Sequence, residues 1–94
     1  MPTLDITFVR VDRDENPTVI EALFLTVEWP VMPREGEGVE IIEDLEAQTV
    51  ESVGYGVDGH PLVHLGRAVL DDLQVAQLRK TGWRVVPVPG GPTR

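Results

Sequence analysis

Gly54, Gly56 and Gly59, in the stretch "VGYGVDGH", stand at the G-x-G-x-x-G spacing that can cradle a dinucleotide pyrophosphate. That chemistry needs a strand before the glycines and a helix after them, because the helix N-terminus supplies the amides that hold the phosphates. Here the motif runs into "HPLVHLG", a proline followed by a β-rich segment. Asp58-Gly59 reads instead as a two-residue hairpin turn, whose central positions need positive φ. Such a turn sets Val57 opposite His60, Tyr55 opposite Leu62 and Val53 opposite His64, with Gly54 opposite Val63 and Gly56 opposite Pro61. The glycines then serve strand geometry, and no nucleotide or other cofactor is expected.

Other residues with chemical potential are sparse. Asp12, Asp14 and Asn16 occupy the first, third and fifth places of a calcium loop, but Pro17 and Leu23 stand where glycine and glutamate are required. His60 and His64, the only histidines, are four residues apart. On a strand that spacing separates them by about 13 Å, too far to share one zinc. His64 lies diagonal to Glu51 in the expected pairing, an arrangement that would support proton transfer. Ser52, the only serine, offers no Ser-His-Asp pattern. Cysteine is absent, which removes thiolate catalysis, disulfides and thiolate-ligated zinc. No catalytic or metal-binding residue is assigned.

The most unusual feature is a concentration of acids at Glu35, Glu37, Glu40, Glu43, Asp44 and Glu46, with only Arg34 beside them. Such a run can engage a basic partner, or it can solvate an edge and block strand-to-strand aggregation. Just before it, Trp29 is followed by Pro30, Val31, Met32 and Pro33. Exposed, that tryptophan would anchor an interface; buried, it would cap the core. The six acids and Trp29 are the candidate interaction residues.

Alternation of Leu4, Ile6 and Phe8 with polar neighbours predicts a strand over 4–11. "DRDENP" is a polar turn. Residues 18–29 carry apolar side chains on both parities, the pattern of a central strand; a helix capped by Asn16 with Pro17 in its first turn is the rival. The β-branched Thr18, Val19, Ile20, Thr26 and Val27 favour the strand. Residues 30–38 form a loop, 39–42 a short strand, 43–48 a turn or one loose helical turn, and 49–57 and 60–69 the arms of the hairpin. "PREGEGVEI" resembles the P-x-x-G-x-x-V turn that opens strands in small SH3-like barrels, which implies a fold and no activity. The helix expected over 70–81 has Asp71 and Asp72 at its start, Arg79 and Lys80 at its end and Gly82 to close it. Leu70, Leu73 and Ala76 form its expected buried stripe; Val75 and Leu78 lie off that stripe, so either the helix is deeply packed or it offers a second apolar face. A last strand covers 83–86.

These elements predict an α+β domain over 1–86. Its centre is a strongly twisted, mostly antiparallel sheet of five or six strands, or a small SH3-like barrel, with one C-terminal helix, and 87–94 form a flexible tail. Ninety-four residues bury roughly 60 to 65% of the unfolded surface, which leaves little room for a large cleft. The net charge of −8 disfavours nucleic acid and anionic lipid. No apolar run approaches membrane-spanning length, and "MPTLDITFVR" is unlike a signal peptide. A soluble protein in an intracellular, cytoplasmic setting is expected. The function expected first is a small acidic, non-catalytic interaction domain of the adaptor, inhibitor or immunity kind, with a protein partner that is basic. The alternatives are an architectural subunit assembling through sheet edges or the Val75/Leu78 face, including a homo-oligomer, and a small enzyme using His64.

Overall fold

The structure is a computed structural model and describes residues 3–42 and 45–88. It is an α+β fold with an open sheet ordered β5-β6-β1-β2-β7. The first hairpin joins β1 (Thr3–Val11) to β2 (Val19–Glu28), with Leu4 opposite Val27, Ile6 opposite Leu25 and Phe8 opposite Leu23. Its connecting turn is held by Asp12, which accepts from the Thr18 amide through Oδ1 at 2.8 Å. The strand reading of 18–29 therefore holds, and β2 is central, flanked by β1 and β7.

The chain then leaves the sheet. β3 (Gly38–Val39) and β4 (Gln48–Thr49) form a two-stranded ribbon, after which β5 (Ser52–Tyr55) and β6 (Pro61–Val69) make the second hairpin. The strand expected over 49–57 is thus divided between two sheets, and that expected over 39–42 stops at Val39. β6 lies parallel to β1, a long-range pairing. Helix α1 (Asp72–Lys80) carries the chain across to β7 (Arg84–Pro87), which pairs antiparallel with β2. Because β5 and β7 are free edges, the sheet does not close into a barrel. β7 extends through Pro87, and the Val88 amide donates to the Ile20 carbonyl at 3.2 Å, so the last strand reaches past the tail boundary expected at 87; residues 89–94 of that tail lie outside the described residues.

The hairpin register differs from expectation by one residue. Ser52 faces His64, Val53 faces Val63, Gly54 faces Leu62 and Tyr55 faces Pro61. The Gly56 amide donates to the His60 carbonyl at 2.9 Å, and the Gly59 amide to Gly56 at 3.0 Å. Val57, Asp58 and Gly59 therefore form a three-residue loop, with Gly59 at φ +85° taking the left-handed position that such a loop requires. One extra loop residue exchanges the two faces of β5, so Val53 turns toward the core and Ser52 away from it.

One face of the sheet is covered. Leu4, Ile6, Phe8, Leu23, Val63 and Leu65 meet Val75, Leu78 and Trp83 in a single buried cluster. Phe8 and Trp83 contact edge to face, with centroids 5.2 Å apart. The stripe expected on α1 is out of phase: Val75 and Leu78 are the buried positions, while Leu73 is 71% exposed. Leu70 is buried, but it precedes the N-cap and so does not share the helical phase. The helix ends match expectation. Asp71 caps the start, accepting from the Gln74 amide at 2.7 Å, while Gln74 Oε1 accepts from the Asp71 amide at 3.0 Å. At the other end the Trp83 amide donates to Leu78 and the Gly82 amide to Arg79, closing the helix and folding Trp83 onto it.

Arg10 locks the start of the helix to the first hairpin. Its Nε donates to the Leu70 carbonyl at 3.0 Å, and its two terminal nitrogens reach Glu21 at 2.9 Å and Asp72 at 3.1 Å. Burial pulls the guanidinium pKa down, but its hydrogen bonds and charge contacts with Glu21 and Asp72 outweigh that and raise it overall.

A bulge in β6 shifts its pairing with β1 between Thr7 and Val9, and Gly66 sits there at φ +82°. A Cβ at Gly66 would also meet the Glu51 carboxylate. Gly66→Ala is expected to destabilise by about 1–2 kcal/mol from the left-handed backbone. Because Glu51 is exposed and can swing aside, adding Glu51→Ala should restore little. Urea midpoints for the single and double variants check this; full rescue by the second substitution would show that the contact, and not the backbone, sets the cost.

Candidate functional site

The end of β2 delivers Trp29 to the rim of the covered side, where it is partly buried against the core. Two prolines break pairing in the segment that follows, and residues 30–37 cross the surface as a loop. That loop is held in place: the Gly36 amide donates to Val50 at 2.9 Å, the Val50 amide to Glu37 at 2.8 Å, and the Arg34 amide to Glu37 Oε1 at 2.6 Å. Trp29, Val31, Pro33 and Val39 then surround a hollow of about 340 Å³, with Glu37 and Glu40 also lining it. Val31 is 73% exposed. A neighbouring hollow of about 710 Å³ runs along Pro30–Glu35 to Val53.

Glu35, Glu37, Glu40 and Glu46 are all exposed. None of them forms an ion pair among the described residues. Glu43 and Asp44 lie outside the described residues. Trp29, Glu37 and Glu40 therefore share one hollow and Glu35 lines the next, while Glu46, just before β4, lines neither. Val31 and Pro33 belong to the apolar stretch after Trp29 that the sequence singles out, whereas Val39 does not. Val39 reaches the hollow only because β3 pairs with β4, and nothing in the local pattern announces that contact.

Among the described residues no element covers the second face of the sheet. Its residues surround a broad groove of about 940 Å³ that includes Val9, Ala22, Phe24, Leu62, His64 and Arg67. His64 is thus in a concavity, and the corrected register puts it directly opposite Ser52. Even so, the link from His64 to Glu51 is backbone only, the Glu51 amide donating to the His64 carbonyl at 2.8 Å; no side-chain hydrogen bond joins His64 to Ser52 or Glu51 among the described residues, so a triad geometry is not assembled. Thr7, between His64 and Phe24, donates its hydroxyl to the Leu23 carbonyl at 3.0 Å and is committed to the backbone. Arg84 stands over the Phe24 ring, 5.6 Å from its centroid.

His60 and His64 do not act together. His60 leaves the hairpin loop and faces Asp58, Nδ1 to Oδ2, at 3.4 Å. Asp12, the first position of the tested calcium pattern, is committed to its own turn through Thr18. The one group of metal-competent side chains among the described residues is instead Asp5, Asp58 and His60.

No protein-family model matches the chain, and no curated protein or solved structure shows a significant match. What the fold defines is a small α+β protein without cysteine, with an open, mostly antiparallel five-stranded sheet and one short helix among the described residues. No helix among the described residues is long and apolar enough to cross a membrane.

Proposed function

We propose that this is a non-catalytic protein-interaction domain whose partner offers a basic segment carrying an apolar side chain. The observation behind this reading is the juxtaposition at Trp29: a pinned loop, a hollow lined by Trp29, Val31, Pro33 and Val39, and exposed acids at it that no base neutralises among the described residues. Aromatic anchors in pre-formed hollows supply most of the affinity in such contacts, and surrounding charge supplies orientation and association rate. A loop already held by backbone hydrogen bonds loses less entropy on binding.

The test is calorimetric titration of the protein with a short Lys/Leu peptide, using a Glu/Leu peptide as control. Replacing Glu35, Glu37 and Glu40 together with glutamine is expected to weaken binding about tenfold at low salt and to flatten its salt dependence. Equal affinity for both peptides, or an unchanged salt slope in the triple variant, would count against the proposal.

Assembly remains a second reading, supported by the uncovered sheet face and the free edges at β5 and β7. It loses one of its two routes, because Val75 and Leu78 are 6% and 1% exposed and lie in the core. Light scattering at increasing concentration separates the two: a protein that remains monomeric leaves only the interaction reading.

A further inference from the structure

We propose that Asp5, Asp58 and His60 form a binding site for a divalent transition-metal ion, with a donor set suited to zinc. The three residues come from places far apart in the chain. Asp5 is on β1, and the other two are in the β5-β6 loop. The parallel pairing of β1 with β6, which puts Asp5 beside Leu62, carries that loop to Asp5. One ligand atom from each residue lies within 4.8 Å of the other two.

The group is more than a crowd of acids, because an imidazole nitrogen completes it. One nitrogen and two carboxylate oxygens suit a borderline-soft ion such as zinc better than magnesium, which prefers oxygen alone. The His60 Nδ1 to Asp58 Oδ2 separation is 3.4 Å. An ion bound tetrahedrally at about 2.0–2.1 Å has neighbouring ligands roughly 3.3–3.4 Å apart, so this edge already has the right length.

Each carboxylate is oriented through one oxygen. Asp58 Oδ1 accepts from the His60 amide at 3.0 Å, leaving Oδ2 to face the imidazole. Asp5 Oδ1 accepts from the Thr26 hydroxyl at 2.6 Å, which makes Thr26 a positioning residue for the site. No lysine or arginine pairs with Asp5 or Asp58 among the described residues, so no fixed positive charge stands where a cation would bind. The Asp58 and His60 side chains are 55% and 46% exposed, which gives an ion a path from solvent and leaves room for water as a fourth ligand.

The experiment is isothermal titration of the full chain, without a histidine tag, with zinc chloride, and with magnesium chloride in a parallel arm. The expected result is one zinc per chain with a dissociation constant in the micromolar range, and no magnesium binding at the same concentrations. His60→Ala and Asp5→Asn should each weaken zinc binding at least tenfold, Thr26→Val by roughly tenfold, and His64→Ala not at all. Circular dichroism confirms that the variants fold, and two independent ligand substitutions guard against the loss of either one. Absence of zinc binding up to millimolar concentration, retention of wild-type affinity in His60→Ala, or its loss in His64→Ala would each overturn the assignment.

Discussion

Leu78→Ala is expected to lower the unfolding free energy by about 3–4 kcal/mol, while Leu73→Ala changes it by less than about 0.5 kcal/mol. Both residues are on α1, five positions apart. Leu78 is 1% exposed and touches the core, whereas Leu73 is 71% exposed. Truncating Leu78 removes its apolar contacts and leaves a cavity beneath the sheet, beside Trp83, whose own amide is tied to the Leu78 carbonyl. Truncating Leu73 only exchanges one exposed helix former for another. A domain of this size has roughly 5–14 kcal/mol of stability in total, so the first variant should lose a large share of it. Urea unfolding at matched m values measures both. Comparable losses in the two variants would mean that the helix sits on the sheet in a different phase.

Arg10→Ala should cost about 2–4 kcal/mol. Only 13% of the Arg10 side chain and 18% of that of Glu21 are exposed, so the guanidinium and its partner are largely withdrawn from water. Removing it leaves the Glu21 carboxylate and the Leu70 carbonyl without their donors, and an unpaired buried group costs more than the net value of the original bond. The Asp72 side chain is fully exposed, so Asp72→Ala should leave stability nearly unchanged. Arg10→Lys keeps the charge but loses the three-way fork, and is expected to recover only part of the loss. Chemical denaturation of the three variants tests this; an Arg10→Ala cost below about 0.5 kcal/mol would reduce the network to an ordinary surface pair.

What the sequence made legible followed from local rules. β1, β2 and the ends of α1 rest on alternation, capping residues and Gly82, all of which act within a few positions. The phase of α1 was misjudged because Leu70 is apolar and buried, yet lies before the Asp71 cap and so does not count in the helical period. The hairpin register slipped because Asp58-Gly59 suits a two-residue turn, while the chain adds Val57 to the loop. Closure of the sheet could not be read from "PREGEGVEI", since the β3-β4 ribbon it opens stays outside the main sheet. Contacts that join distant segments left no local signature. The parallel pairing of β1 with β6 is one, and it brings Leu70 and Asp72 to Arg10 and the Asp58-His60 loop to Asp5. Trp29 and the acids after it were legible as candidates from type and crowding alone. The hollow they border needed Val39, which depends on a pairing two residues long.

Nuclear magnetic resonance on the ¹⁵N-labelled protein, titrated with the Lys/Leu peptide, measures the proposed contact most directly. Each of the two tryptophans contributes one indole resonance. The Trp29 indole and the amides of residues 31, 32 and 34–40 should shift progressively, while the buried Trp83 indole and the amides of Val9, Phe24 and Leu62 stay in place. Shifts confined to those three residues on the open sheet face, or no shifts at all, would contradict the placement of the interaction surface at Trp29.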